Sequence, residues 1–145
     1  MRSPYKQGFF NPENPDKYTG TQPIVYRSGL ELSFFRWCDR NDKVLTWGSE
    51  SVVIPYQSPK DGKLHRYFVD GVLTLATAEG VKKYLIEVKP SSQTQPPKPS
   101  NKKKRSTVLY ESINWAVNSA KWSAAKQWCE KKGYVFAILT EKDLK

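Results

Sequence analysis

The sequence is poor in the residues that build disulfide frameworks and imidazole-based active sites. It contains two cysteines, Cys38 and Cys129, which both lie in helix-like apolar patterns. Two thiols are too few for a disulfide framework or a four-cysteine metal site, so buried free thiols in a reducing compartment are predicted. His65 is the single histidine. Catalysis by paired imidazoles is therefore excluded, and no specific Ser-His-Asp grouping stands out.

Long hydrophobic runs are also missing. No apolar stretch approaches the roughly 20 residues that span a bilayer, and the opening MRSPYKQGFF lacks the features of a signal peptide. We therefore expect neither export nor membrane insertion. Hydrophobic residues make up 38% of the 145 residues, and aromatic residues make up 13%. This composition predicts one folded domain with a modest core rather than a disordered chain.

Negative charge is the scarcer sign. There are 24 Lys and Arg residues against 14 Asp and Glu residues, which gives a formal net charge of +10. An excess of this size favours a partner rich in phosphate, nucleic acid above all. A merely soluble basic protein is the alternative that charge alone leaves open.

The order of elements predicts an α/β domain. Residues 1–22 are interpreted as an irregular arm pinned by Tyr5, Phe9 and Phe10, and residues 23–145 as a single domain. Apolar periodicity predicts helices over 28–39 and 112–131, the second ended by Gly133. Extended runs are predicted over 43–46, 51–56, 65–75, 81–88 and 134–139, with a hairpin turn at 58–62.

A basic segment separates the last strands from the second helix. Residues 91–106 contain no apolar side chain other than proline, so a mobile loop is predicted. Such a loop is either a solvated linker or a surface that folds over DNA and contacts its phosphates without reading sequence. The candidate DNA-binding residues in it are Lys98, Lys102, Lys103, Lys104 and Arg105.

The most informative pattern is Asp70 followed by Glu87-Val88-Lys89, each at the end of an apolar strand. Side chains alternate along a strand, so Glu87 and Lys89 share one face. If the two strands pair, Asp70 approaches Glu87, and two close carboxylates repel unless a cation lies between them. Mg²⁺ suits such a site, with Lys89 serving an attacking water or the charge on phosphorus oxygens. The alternative is an exposed Glu87–Lys89 ion pair that contributes only about 0–1 kcal/mol to stability.

These residues resemble the PD-(D/E)XK nuclease superfamily. The similarity lies in Phe68-Val69-Asp70, in Ile86-Glu87-Val88-Lys89, and in an acid, Glu31, on the first helix. Val69 stands where the family pattern has proline. Within the superfamily, the chain looks most like the head-completion nucleases of T-even-type tailed phages, and more distantly like the nuclease subunit of Tn7-type transposases.

The resemblance implies a restriction-endonuclease-like αβββαβ core, a central mixed sheet flanked by helices. It also implies a Mg²⁺-dependent deoxyribonuclease, with Mn²⁺ as a substitute, acting in phage head completion. Glu31, Asp70 and Glu87 would arrange the metal with the carbonyl of Val88, and Lys89 would complete the catalytic set. The implied partners are DNA and phage portal or neck proteins, and the implied locations are the host cytoplasm and the virion.

Several residues keep two interpretations. Ser28-Gly29-Leu30-Glu31 is also a capping box, which explains Glu31 without catalysis. Glu50 is the reserve candidate for the first acid. His65 is interpreted as a strand or turn residue near the DNA phosphate. Lys121 is either a solvated surface lysine of the second helix or, as the resemblance implies, a contact to DNA phosphate. Core positions are expected for three tryptophans, Trp115, Trp122 and Trp128.

Two further functions compete with a nuclease. One is a non-catalytic DNA-binding or capsid-joining module that keeps the nuclease fold. The other is an RNA-binding accessory protein, although the stacking motifs of the common RNA modules are missing from the sequence. The acid and lysine positions favour the enzyme.

Overall fold

The computed structural model describes residues 7–144. Its elements are β1 (Gly8–Phe9), β2 (Val25–Tyr26), α1 (Gly29–Arg40), β3 (Val44–Ser49), β4 (Val53–Gln57), β5 (Leu64–Phe68), β6 (Gly71–Thr77), β7 (Gly80–Val88), α2 (Arg105–Lys132) and β8 (Val135–Leu139). Short 3-10 turns lie at Pro15–Lys17 and Ser91–Gln93.

The central sheet has four strands in the order β3-β6-β7-β8. The first three are antiparallel, and β8 runs parallel to β7 after the α2 crossover. In the chain, α1 precedes these strands, and the β4–β5 hairpin is inserted between β3 and β6. Without this insertion, the order of the core elements is α1-β3-β6-β7-α2-β8. This is the predicted αβββαβ order with its mixed sheet.

Each helix covers one face of this sheet. Ile86 and Val88 of β7 pack in the cluster that contains Phe34, Phe35 and Cys38 of α1. Leu85 packs on the other side with buried residues of α2 and of the β4–β5 hairpin. Because side chains alternate along β7, the Glu87 side chain projects from the same face as Leu85, the face covered by α2. Cys38 and Cys129 are buried and unpaired, as predicted.

The strand predicted over 65–75 is wrong in one respect, because it is two strands. β5 ends at Phe68 and pairs with β4, whereas β6 begins at Gly71 and pairs with β3. The two strand pairs form one long hairpin that bends at Glu50, whose φ is 50°, and at Asp70. Asp70 thus sits on the bend. Gly71 is needed there because a Cβ would lie 2.6 Å from the Phe34 ring.

The basic loop predicted over 91–106 is shorter than expected. α2 begins at Arg105, seven residues before the predicted start at Ser112, so Arg105 and Ser106 are helical. In the first turns of this helix the apolar residues Leu109 and Tyr110 are exposed. The sequence there lacks the one-sided apolar stripe from which an amphipathic helix is predicted. Gly133 ends the helix in the left-handed conformation, with φ 77°, as predicted.

The described part of the N-terminal arm docks on α1. Phe10 packs against Phe35, but Phe9 is 69% exposed and does not pin the arm as predicted. Tyr5 lies outside the described residues. The buried Asp39 carboxylate accepts the backbone N–H groups of Glu13 and Asn14 at 2.8 and 3.0 Å. Within residues 7–144 no helix has the length and hydrophobicity to cross a membrane.

Candidate active site

Asp70 and Glu87 meet at one end of the central sheet. Gly71 pairs with Ile86 in the antiparallel register of β6 and β7, so the preceding Asp70 lies across from Glu87. The backbone N–H of Val88 donates to Asp70 Oδ2 at 2.7 Å. Glu87 is only 4% exposed, and Trp122 Nε1 donates to its Oε2 at 3.2 Å. Strand pairing and helix α2 thus hold both carboxyl groups in place.

The electrostatics of this pair are unfavourable when both carboxyl groups are ionised and no cation lies between them. Burial, and then the charge of Glu87, raise the pKa of Asp70 well above the ordinary aspartate value. The Val88 N–H acts in the opposite direction, and Glu31 adds further negative charge. Two carboxyl groups held this closely are stabilised by a proton or by a bound cation.

One open cleft of about 640 Å³ gathers all the residues predicted to act in catalysis or metal binding, and one predicted DNA-binding residue. Residues of α1, β5, β7 and α2, which are far apart in the chain, contribute to its lining. The predicted residues that line it are Glu31, Asp70, Glu87, Val88, Lys89 and Lys121.

The position of Glu31 is compatible with both roles considered for it, helix capping and a place in the candidate metal site. Ser28 Oγ accepts the Glu31 N–H at 3.1 Å, and Glu31 Oε1 accepts the Arg27 N–H at 3.2 Å, so the helix cap is formed. Burial raises the pKa of Glu31, and Arg27 partly offsets the rise. Glu50 instead forms an ion pair with Arg27 and lines a separate small pocket. Of the two candidate first acids, Glu31 is the one that shares the cleft.

The donor set suits a hard cation held together with its substrate. Among the described residues, no three Asp, Glu, His or Cys side chains cluster closely enough to form a complete metal cage. The cleft does offer carboxylate oxygens from Asp70 and Glu87 and the carbonyl oxygen of Val88. Mg²⁺ typically takes one or two carboxylates and completes its shell with water and phosphate oxygens. These residues therefore fit such an ion.

Cationic side chains form the outer wall of the cleft. Lys121 Nζ lies 5.6 Å from the centre of the Tyr67 ring and 5.8 Å from that of Tyr56. The Arg66 guanidinium lies 5.5 Å from the centre of the Phe68 ring. Both cations line the cleft.

Three residues of the site were missed by the sequence interpretation. Arg66 lines the cleft, and alternation with the buried Tyr67 could have identified it as an outward cation. Trp122 was assigned to the core, and it is buried, but its indole N–H also holds Glu87. Gln93 lines the cleft from the 3-10 turn after β7, and no sequence signal marks it.

The remaining predicted DNA-binding residues are not in the cleft. His65 pairs with Asp61, with 2.8 Å between Nε2 and Oδ2, and its ring lies beside Tyr56, so the structure does not place it at the cleft. Lys103 is paired with Glu111 at 2.9 Å. The basic residues that lie outside the cleft lining are Lys98, Lys102, Lys103, Lys104 and Arg105.

Comparison with known proteins places these residues in context. Residues 41–141 match the TnsA-like endonuclease N-terminal family. The chain is also 42% identical over 144 residues to the head completion nuclease of Enterobacteria phage T4, covering 95% of this chain and 93% of that protein. Asp70, Glu87 and Lys89 lie within the matched range, and Glu31 precedes it.

Proposed function

The chain belongs to the TnsA-like endonuclease family, and from this premise we propose that it is a divalent-metal-dependent deoxyribonuclease acting in phage head completion. Family membership accounts for the restriction-endonuclease-like fold that the sequence predicted. The observation that carries the proposal is the meeting of Asp70, Glu87 and Lys89 at one end of β6 and β7, in a cleft walled by cations.

In the proposed mechanism, the scissile phosphate enters past Arg66 and Lys121, which contribute attraction without sequence specificity. Asp70 and Glu87, together with the carbonyl oxygen of Val88, would hold Mg²⁺ or Mn²⁺, and Glu31 from α1 would add negative charge in the same cleft. When bound, this ion supplies Lewis-acid stabilisation of the phosphate and of the attacking oxygen.

Lys89 leaves β7 two residues after Glu87 and lines the same cleft. Its ammonium group positions the attacking water and stabilises the charge that develops on the phosphorus oxygens. Trp122 and the Val88 N–H keep the two carboxyl groups oriented, so little reorganisation is needed when substrate arrives. The product is a DNA strand with its phosphodiester bond hydrolysed.

The biological setting proposed is assembly of the virion. The T4 relative is named for head completion, and the net charge of +10 suits a protein that works on DNA. We propose host cytoplasm and the virion as its locations, and phage portal or neck proteins as its protein partners.

Metal dependence is the direct test of this proposal. Incubation of the purified chain with supercoiled plasmid and Mg²⁺ or Mn²⁺ should convert the plasmid to cut forms on a gel, and EDTA should stop the reaction. Ca²⁺ should support binding but not turnover, because its looser coordination positions water poorly. Cleavage in metal-free buffer would contradict the mechanism. Binding without cleavage in Mg²⁺ would favour a non-catalytic DNA-binding or capsid-joining module.

Neutralising the basic segment should weaken DNA binding without unfolding the protein. We expect the variant with Lys102, Lys103, Lys104 and Arg105 replaced by Gln to keep nearly the same melting temperature. Lys102, Lys104 and Arg105 are exposed, and the partly exposed Lys103–Glu111 ion pair contributes only about 0–1 kcal/mol. The slope of log K against log salt should flatten by up to about 0.9 for each lost phosphate contact on duplex DNA. Cleavage at saturating DNA should persist.

A control variant with the same change in net charge separates two effects. One is direct contact of residues 102–105 with DNA phosphates, and the other is the general attraction of a positively charged protein to DNA. Lys82 and Lys83 on β7 and Lys131 and Lys132 on α2 lie at the opposite end of the sheet from Glu87. Replacing these four by Gln should leave the salt slope closer to that of the parent. Equal slopes in the two variants would show that the segment 102–105 makes no phosphate contacts of its own.

A further inference from the structure

A second groove adjoins the cleft on the other side of Lys89. It has a volume of about 410 Å³ and lies between the segment after β7 and the N-terminal half of α2. Lys89 and Gln93 line both cavities, so the two spaces meet at the proposed catalytic lysine. A group that occupies the groove therefore lies next to the bond being cut.

The walls of this groove are rich in amide side chains. Asn114 and Asn118 face it from α2, one turn apart, and Gln93 and Gln95 face it from the opposite segment. Each amide offers both hydrogen-bond donors and an acceptor. Four such groups around one small groove suit a ligand that itself carries donors and acceptors in one plane.

The charge of the groove is nearly balanced, unlike that of the neighbouring cleft. Lys89 is the one cation in its lining, and the acid in that lining, Glu111, is paired with Lys103 at 2.9 Å. DNA phosphates are taken mainly by Lys and Arg, whereas amides pair with the edges of bases. The lining therefore favours a neutral base over a phosphate.

An aromatic ring completes the groove. Trp115 follows Asn114 on α2 and also lines the groove, half-buried rather than in the core as predicted. Its ring packs edge-on against Trp122, with the centroids 5.7 Å apart and the planes at 83°. An indole held in this way can stack on a base, a contact worth about 1–3 kcal/mol per base in single-strand binding proteins.

We propose that this groove binds a base of an unpaired DNA strand beside the scissile phosphate. The proposal rests on the proposed nuclease function and extends it to substrate choice. In a continuous duplex the pairing edge and both faces of a base are already covered, so the amides and Trp115 cannot use them. The protein should therefore prefer DNA with unpaired nucleotides, such as tails and gaps, over continuous duplex.

The test compares binding of a single-stranded thymidine oligonucleotide and a blunt duplex, by fluorescence anisotropy in EDTA. The Asn114→Ala/Asn118→Ala variant should bind the single strand about tenfold more weakly and the duplex within twofold of the parent. Gln95→Ala, on an exposed segment, should weaken single-strand binding in the same direction by about threefold. The control is Ser123→Ala/Gln127→Ala, two exposed positions of α2 outside the groove, which should match the parent.

Equal losses for the two DNA forms, or no loss in the asparagine variant, would overturn the proposed base site. Plasmid cleavage by the parent in Mg²⁺, measured in parallel, tests the nuclease function separately. A cutting parent whose asparagine variant binds the single strand normally would refute the groove alone. A parent that never cuts, with selective loss of single-strand binding in the variant, would refute the nuclease function and retain the groove.

Discussion

Replacing Lys89 by alanine should slow DNA cleavage at saturating DNA and Mg²⁺ by about 10²–10³-fold, the usual cost of losing one transition-state-stabilising group. DNA affinity should stay within about twofold of the parent. The reason is that the ammonium group is proposed to act on charge that develops only during the reaction, and such a group changes kcat rather than ground-state binding. Single-turnover cleavage and anisotropy titration in Ca²⁺ measure the two quantities.

Lys121→Ala is the matched control, because it removes a lysine from the same cleft. Its ammonium lies over the rings of Tyr56 and Tyr67 and is proposed to contact DNA phosphate only. This variant should therefore bind DNA more weakly and lower the salt slope, with kcat nearly retained. Full cleavage by the Lys89 variant, or identical behaviour of the two variants, would contradict the assigned roles.

The proximity of Asp70 and Glu87 could be predicted from the sequence because side chains of a β-strand point to only two faces of the sheet. Two apolar strands, each ending in an acid, leave few ways to place those acids once the strands pair. The observed register puts Gly71 opposite Ile86, which brings the acids together as expected. The same alternation placed Ile86 and Val88 on the face covered by α1. Periodicity thus predicted the centre of the site.

The bend in the hairpin was not accessible from sequence. Residues 65–75 read as one continuous strand, since Val69 is as apolar and β-prone as its neighbours. The interruption arises where Glu50 takes a positive φ on the partner strand, and no residue type announces that. After this bend, β4 packs against α2. Arg66 of β5 therefore lines the cleft, which was not predicted, whereas His65 lies beside Tyr56 and outside the cleft.

The start of α2 was missed for a different physical reason. Helix prediction relies on one apolar stripe, but Val108, Leu109 and Tyr110 are all exposed and the first turns have no such stripe. Lys104 precedes the helix without a side-chain cap, so the usual start signal is missing as well. The groove lined by Asn114, Trp115 and Asn118 could therefore not be predicted from the sequence, because it forms only where α2 packs beside the segment after β7.

Replacing Asp70 by asparagine should abolish detectable cleavage and yet make the metal-free protein more stable. Asparagine keeps the shape and can still accept the Val88 N–H, but it removes a buried negative charge and the repulsion between that charge and Glu87. We expect a larger free energy of unfolding near neutral pH and therefore a higher melting temperature, where each 1 kcal/mol corresponds to roughly 3 °C for a domain of this size. Thermal unfolding in EDTA measures it.

The dependence on pH and metal identifies the cause of this stabilisation. Because the folded state raises the pKa of Asp70, the parent loses stability as pH rises from the ordinary aspartate value to that raised one, a loss that the variant lacks. Mg²⁺ should raise the melting temperature of the parent more than that of the variant, since binding to the folded state stabilises it. Asp61→Asn is the control: the Lys63 N–H and His65 lower the pKa of Asp61, so neutralising it should bring no gain. A metal-free Asp70→Asn protein that melts at or below the parent temperature would show that the two carboxyl groups do not strain the site, and the argument for a cation between them would fail.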